Sequence, residues 1–348
     1  MLKIMIIQPI CASYRVPLFE AISSDEIVKE LIVFSDNSAS FGYQGGGEFD
    51  QVLAAWRRLW GGLMFPKNIR GYFSALVSSG HCLHFSDFKY LTLWISIFYC
   101  RFSGRKCYLH GQGGYKGKQG FVKKIVYSLA VFLSSGYICY STYSRLNLIK
   151  LIPSFLHKKI SVVENSLYMD SHNCFHKESK GLFFVGRLRE GCGIEIVLEA
   201  AKNAGVCVHV VGDGDFLDGL RDRYPDAKFY GAVFNIQEQK RIAAMCMAGV
   251  YGGDAGLSVV HYMAWGLPVI VHDSLRYHMG PEPGYVKDGF NGLYFKRGNQ
   301  SSLEVAIARL IGDFQLSCRL SVGALDTFEK LSNPPMHVKF INIFKGCS

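Results

Sequence analysis

The chain has 348 residues, 49% of them hydrophobic and 19% charged, with a formal net charge of +10. That composition excludes a disordered polymer, and the length fits two domains of ordinary size. Eleven cysteines are scattered without a CxxC pair or ligand spacing. The scatter excludes a disulfide framework and a zinc module, and predicts buried free thiols in a reducing compartment.

Taken in chain order, Leu2–Gln8 reads as the first buried strand of a parallel sheet, too short and too β-like for a signal peptide. A helix begins at Val16–Ile22, and Lys29–Phe34 is a second strand. Gly42 to Gly47, with four glycines, reads as a flexible loop. Trp56 to Gly80 reads as helical with interruptions. Tyr90–Cys100 and Ile125–Tyr140 are strongly apolar but fall short of the roughly 20 residues a bilayer span needs, and read as buried or membrane-resting helices. Cys107–His110 is a strand that ends in a glycine-rich turn, Gly111-Gln112-Gly113-Gly114. Lys123–Ser134 and Arg145–Leu151 read as helices, with strands at Gly136–Ser141 and Ile160–Val163. A linker follows from about Glu164 to Lys180.

The second half repeats the alternation. Strands are expected near 181–186, 206–211, 227–230, 248–251, 268–272 and 292–295, with helices near 193–203, 215–223, 237–246, 256–265 and 301–312. A helical tail is expected from about Gly323 to Phe344. Such alternation predicts parallel sheets covered by helices on both faces.

The excess charge sits in the first half. Residues 1–170 hold 19 Lys+Arg against 10 Asp+Glu, and residues 171–348 hold 19 against 18. Arg101, Arg105, Lys106, Lys116, Lys118, Lys123 and Lys124 concentrate it, interleaved with Phe102, Tyr108, Tyr115 and Phe121. A solvated basic face, an anionic membrane surface and a phosphate-bearing acceptor lipid each account for this pattern. No nucleic-acid module is recognisable, so no nucleic-acid partner is expected. Each Lys or Arg near an anionic leaflet is worth about 1 kcal/mol.

Two segments carry the chemistry. Gly253–Ile270, GDAGLSVVHYMAWGLPVI, reads as a small-residue turn, an amphipathic helix and a Gly-Leu-Pro stop before a strand. The small residues Gly253, Ala255 and Gly256 would let an anion approach the backbone, and the helix would aim unpaired N–H groups at it. Phe183–Ala200, FFVGRLREGCGIEIVLEA, repeats the strand, glycine loop and helix about seventy residues earlier. Both loops would lie at one sheet edge, where open α/β sheets bind ligands.

With Gly186-Arg187-Leu188, Gly212-Asp213-Gly214, Phe229-Tyr230-Gly231-Ala232-Val233, Gly253–Ile270 and Lys287-Asp288-Gly289-Phe290-Asn291-Gly292-Leu293 in this order, the chain resembles retaining GT-B glycosyltransferases of the large bacterial family four, also called group 1. Tyr14-Arg15-Val16-Pro17, His110-Gly111 and Asn165-Ser166-Leu167 have looser counterparts in its first half. The resemblance spans roughly residues 1 to 325 and is firmest from about 180 to 300. It implies an α/β GT-B fold, two Rossmann-like doubly wound domains facing across a cleft. An acceptor-side domain would cover 1–170 and a nucleotide-sugar domain 171–325, with a helical tail over 326–348 packing back on the first.

The resemblance further implies transfer of a sugar from a nucleoside-diphosphate donor, with retention, to a glycan or lipid-linked acceptor in bacterial surface polysaccharide synthesis. The enzyme would sit in the cytoplasm, peripheral at the inner face of the cell membrane. In this pattern Arg187 clamps the diphosphate, as a guanidinium fork suits two phosphate oxygens. His110 approaches donor sugar and diphosphate from the other wall. Tyr14 and Arg15 face acceptor or phosphate. Gly186, Gly214, Gly231, Val233, Gly256, Leu257 and Ser258 line the nucleotide. No cofactor beyond the donor co-substrate is expected. With no DxD-like acidic pair at a plausible site, no metal is expected either, the diphosphate being balanced by Arg187, His110 and the helix end.

The chain departs from the family in two places. A lysine usually follows the arginine by five residues, where Cys192 stands, and Arg189 is the nearby substitute. The family's two glutamates, eight positions apart, align with Gly253 and His261. Asp254 then takes the sugar hydroxyls and His261 the ribose, or Asp254 is only a helix cap and His261 only a core residue. These departures leave a second class open, a catalytically degenerate GT-B binding or partner subunit. A GT-B sugar-nucleotide epimerase is a third.

Overall fold

A computed structural model describes residues 1–37, 47–117 and 120–346; the Gly42–Gly47 loop up to position 46, and Lys118, lie outside the described residues. The chain divides after Tyr168 and again after Asn333, so that the last helix belongs with the first unit. The second unit therefore runs past 325 to Asn333.

The first unit is built on a seven-stranded parallel sheet in the order β3-β2-β1-β6-β7-β8-β9. Its strands are β1 (Leu2–Cys11), β2 (Val28–Asn37), β3 (Asp50–Leu53), β6 (His81–Phe85), β7 (Lys106–Gly111), β8 (Gly136–Cys139) and β9 (Ile160–Val162). Alternation along β1 assigns its two faces. Ile4 and Ile6 meet Leu18, Phe19 and Ile22 of α1 (Val16–Ser23) and Phe340, Ile341 and Phe344 of α12 (Met336–Lys345). Met5 and Ile7 join the opposite cluster with Tyr72, Leu93, Ile97 and Val131. These come from α2 (Ile69–Ser78), α3 (Leu91–Phe102) and α4 (Phe121–Leu133), and α5 (Thr142–Leu151) closes the row. Burying one such large apolar side chain is worth about 1.5–3 kcal/mol, enough to hold α12 in place through three.

Within Trp56–Gly80 the expected helix is replaced in its first part by an antiparallel pair, β4 (Trp56–Arg58) with β5 (Met64–Pro66). Gly61 and Gly62, both at positive φ, turn the chain between them. The Trp56 ring packs edge-on to Phe34, Phe85 and Tyr90, a tertiary cluster that outweighs the helical pattern.

The second unit has six parallel strands in the order β12-β11-β10-β13-β14-β15. They are β10 (Gly181–Val185), β11 (Val208–Val211), β12 (Lys228–Gly231), β13 (Cys246–Tyr251), β14 (Val269–His272) and β15 (Gly292–Phe295). The helices are α6 (Ile194–Asn203), α7 (Leu217–Arg223), α8 (Ile236–Ala243), α9 (Ser258–Ala264), α10 (Gln300–Gly312) and α11 (Phe314–Ser332). Counted from β10 this is the order 3-2-1-4-5-6 of a dinucleotide-binding fold, and the strand order reverses between β10 and β13. In the first unit the reversal falls between β1 and β6.

Among the described residues every strand pair except β4 with β5 is parallel. The described cysteines are free, and most are buried. Among the described residues no helix is long and apolar enough to cross a membrane.

Candidate functional site

In the second unit the site is a backbone construction at the β10/β13 switch point. Beyond β10 the loop 186–193 runs against the loop 252–257 that follows β13. Gly253 N–H donates to Cys192 O at 3.1 Å, and Asp254 N–H to Gly191 O at 2.8 Å. The approach is so close that only glycine fits. A Cβ on Gly253 would lie 2.1 Å from Gly191 O, and one on Gly193, which has φ +67°, 2.2 Å from Gly253 N. The third loop, after β11, docks in the same manner, for a Cβ on Gly212 would lie 1.9 Å from Gly186 O and one on Gly214 2.1 Å from Leu188 O. Gly212 N–H in turn donates to Gly231 O at the end of β12.

This geometry corrects one expectation. Gly253 does not hold space open for a ligand; the neighbouring loop fills that space. It also gives a physical reason why no acidic side chain stands at 253, since any Cβ there would collide with backbone. Gly256 is different: the atoms nearest a Cβ there are the Met279 methyl at 3.3 Å and Glu282 Oε2 at 3.9 Å.

The helix after this loop, α9, is short, with Leu257 as its N-cap and no capping side chain. Asp254 therefore is not its cap. Asp254 and Arg189 both flank Gly191, whose Cβ would lie 3.2 Å from Asp254 Oδ2 and 3.4 Å from an Arg189 terminal nitrogen. Arg189 also donates to Glu190 O at 2.7 Å. Arg187, one residue past Gly186, is exposed. Cys192, where the sequence resemblance leads one to expect a lysine, is buried at 2% exposure.

Ser258 and Tyr262, one turn apart on α9, grip the end of β10. The Ser258 hydroxyl donates to Val185 O at 2.7 Å. The Tyr262 hydroxyl accepts from Val185 N–H and donates to Val250 O, each at 3.1 Å, bridging the two diverging strands. Gly249 makes room for its ring. His261 is half-buried, stacked on Trp265 with centroids 4.4 Å apart, and desolvation lowers its pKa to about 4, so it is a neutral imidazole.

Sequence reasoning missed the layer beneath this loop. Ala255 N–H donates to His278 Nδ1 at 3.2 Å, and His278 Nε2 faces His272 O at 3.0 Å, which puts the proton on Nε2. The His278 ring stacks on His272 at 3.7 Å. Burial first, then the neighbouring His278, pushes His272 down to about 3. Nothing in the local pattern of Asp273–Pro281 marks His278, because its partner Ala255 is 23 residues away.

Gly231 closes β12 at φ +71°, and Val233 follows two residues later on the same rim. A hollow of about 560 Å³ in this unit, walled by Gly181, Cys207 and Met245, lies at the amino ends of β10 and β11, the opposite edge from these loops.

In the first unit the corresponding edge is made of side chains. His110 ends β7 and is buried, edge-on to Tyr140 at 4.4 Å and to Phe340 at 5.0 Å. Its Nε2 has no hydrogen-bond partner among the described residues. Desolvation, and then the Arg15 charge, hold its pKa well below the usual value. Arg15 lies over the Tyr14 and Tyr140 rings at 5.4 and 6.0 Å and donates to Asn165 Oδ1 at 2.5 Å. The structure thus brings Arg15 and His110 together, with Tyr14 beside them and half exposed.

A cavity of about 620 Å³ opens next to His110, lined among others by Asp87, Lys89, Lys116, Lys123, Tyr127 and Tyr140. Gly113, at φ +69°, lets the turn after β7 pack within 2.6 Å (Cβ position) of Ser144 O, and its N–H donates to the Tyr137 hydroxyl at 3.1 Å. Asp87 and Lys89 follow β6 at this unit's switch point; a charged pair in a loop carries no sequence signal of its own.

Residues 179–313 match the family model described as Glycosyl transferases group 1. No curated protein matches the chain by sequence. Among solved structures it is similar to Alr3699/HepE of Anabaena in complex with UDP, at TM-score 0.71 and 16% identity, over 99% of this chain and 100% of that one. A glycosyltransferase from Rickettsia africae aligns at TM-score 0.69 and 14% identity, over 99% and 98%. The lipopolysaccharide outer core galactosyltransferase WaaB, in its apo form, aligns at TM-score 0.68 and 14% identity, over 99% and 100%. The chain therefore has the GT-B fold, with two Rossmann-like domains.

Proposed function

We propose that the chain is a glycosyltransferase that moves a sugar from a nucleoside-diphosphate donor, with retention, to a glycan or lipid-linked acceptor in bacterial surface polysaccharide synthesis. The observation that carries this is the interlocked glycine rim at the β10/β13 switch point, within the segment that matches the group 1 family. Open α/β sheets bind nucleotides there. UDP or UDP-glucose is present in structures of the similar HepE. Arg187, with Arg189 second, would neutralise the departing diphosphate, in a step where fixed charge matters more than acid–base chemistry. Asp254 would hold donor-sugar hydroxyls and His261 the ribose. No metal is needed in this scheme. On the first unit, His110, Arg15 and Tyr14 beside the cationic cavity would receive a phosphate-bearing acceptor, with the protein peripheral at the inner membrane face.

The test is donor-dependent labelling of a lipid extract across the common nucleotide sugars, alongside a thermal-shift series with nucleoside diphosphates. A ligand at a hundredfold its Kd stabilises by about 2.7 kcal/mol. Labelling is expected with one donor; none with any donor overturns transfer.

A non-catalytic GT-B binding subunit is the second reading. It is favoured by one observation, that positions 192 and 253 are closed to the charged side chains the family uses there. Nucleotide stabilisation without labelling would select it.

A further inference from the structure

The outer face of α4 is apolar where a solvent-facing helix should be polar. Tyr127, Ala130 and Val131 turn inward to the core. On the other side Phe121 and Val122 are 77% and 73% exposed, and Ile125, Leu129 and Phe132 continue the stripe at helical spacing. Phe102, at the end of the adjacent α3, is 85% exposed. The Arg101 guanidinium lies over the Phe132 ring at 5.8 Å, which joins the two helices into one surface. The 3-10 segment Ser154–Lys159 packs against α4 and adds exposed Phe155.

The charge around this surface has one sign. Between Asp87 and Glu164 the sequence holds no acidic residue and twelve Lys or Arg. Arg101, Lys106, Lys124 and Lys158 are exposed. Lys159 caps the end of α4 on Phe132 O at 2.8 Å and Ser134 O at 2.5 Å, so the helix end is held while its outer face stays bare.

We infer that the α3/α4 face of the first unit is a docking surface for an anionic lipid bilayer, with Phe121, Val122 and Phe102 entering the interface and Arg101 and Lys124 pairing with lipid phosphates. A helix face with bulky apolar tips and exposed cations beside it, in a stretch of sequence that holds no acidic residue, matches the headgroup boundary in both polarity and charge. The surface deepens the membrane placement proposed above, and it stands or falls separately from sugar transfer.

The test is co-sedimentation of the full chain with phosphatidylcholine vesicles, with and without phosphatidylglycerol. Wild type is expected to bind the anionic vesicles more tightly than the neutral ones. Arg101→Gln with Lys124→Gln should weaken binding about 30-fold, at about 1 kcal/mol per cation. Phe121→Ser with Val122→Ser should weaken it about tenfold or more. Circular dichroism confirms that each variant is folded. A Phe121→Trp variant should shift its emission to the blue on binding and be quenched by brominated acyl chains. Because part of the affinity is apolar, binding should weaken but persist at about 1 M salt, where the screening length is about 3 Å.

No binding by folded wild type overturns the inference. So does binding that the Phe121/Val122 pair leaves unchanged, or an absence of quenching in the vesicle-bound Phe121→Trp variant. Self-association that shifts the emission of the Phe121→Trp variant to the blue without vesicles would assign the face to a second copy instead and also overturns it. Donor-dependent labelling of soluble acceptors in the same preparations is read independently, so loss of docking and loss of transfer are distinguishable.

Discussion

The two units place the loops at their switch points at equivalent points of similar sheets, yet build them from different materials. In the first, the rim around His110 is made of aromatic and cationic side chains, Tyr140, Arg15 and Lys89 among them. In the second it is made of backbone, with glycines at 186, 193, 212, 214 and 253 letting three loops touch. A backbone rim has fixed dipoles and no rotamers to lose, which suits a common diphosphate. A side-chain rim can be altered one residue at a time, which suits a variable acceptor. Changes in the second rim should therefore cost fold, and changes in the first should cost ligand.

The largest expected effect breaks the backbone rim directly. Gly253→Glu would introduce the acidic residue that the sequence resemblance leads one to expect there. It should nevertheless destabilise the second unit by about 4 kcal/mol or more, because its Cβ meets Gly191 O. Urea unfolding measures this, and a stable Gly253→Glu protein would mean that the loops are not locked.

Next in size, Arg187→Ala leaves the rim intact and removes its exposed charge. It is expected to lose about 2–4 kcal/mol of transition-state stabilisation with little change in melting temperature. Near wild-type transfer by the folded variant would end its assignment.

A smaller effect probes the buried histidines that both units hold neutral. Burial lowers His84 to about 3, against the donor or acceptor roles it shares with Phe85 O and Thr92. The unfolded chain binds a proton near the ordinary value of about 6.5 and the folded chain does not, so stability is full above that pH and falls below it. The slope owed to one such histidine is about 1.4 kcal/mol per pH unit between these values. His84→Gln should flatten the stability profile of the first unit by that amount between pH 4 and 6, on the order of one proton. An unchanged slope would show that His84 is protonated in the folded state.

The smallest expected change in stability is that of Asp254→Asn. Asp254 caps nothing, so stability should move by less than about 0.5 kcal/mol, the usual limit for a surface substitution. Transfer should fall if the carboxylate holds donor hydroxyls. A large drop in melting temperature would instead give Asp254 a structural role.

The alternation of apolar strands and helices made the parallel sheets legible from the first reading, because burial on both faces demands continuous apolar strands. The glycine loops at 186–193 and 253–256 were legible as well. What they were for was not. A glycine that admits a ligand and a glycine that admits another backbone look the same in one dimension, and 191 and 253 are far apart along the chain. Arg15 with His110, and Ala255 with His278, meet only after folding. The Trp56–Arg58 strand was hidden by a local pattern that Phe34, Phe85 and Tyr90 override.

The sequence by itself determined most of the elements, the charge asymmetry and the two loops that matter. Those properties are local: periodicity, composition and turn chemistry act within a few residues. The tertiary structure alone decided which glycines are closed, that Cys192 faces the core, that Ser258 is turned to Val185, and that the face of α4 is bare. Each of these depends on what lies opposite a residue across the fold, and that neighbour is set by the packing of distant segments.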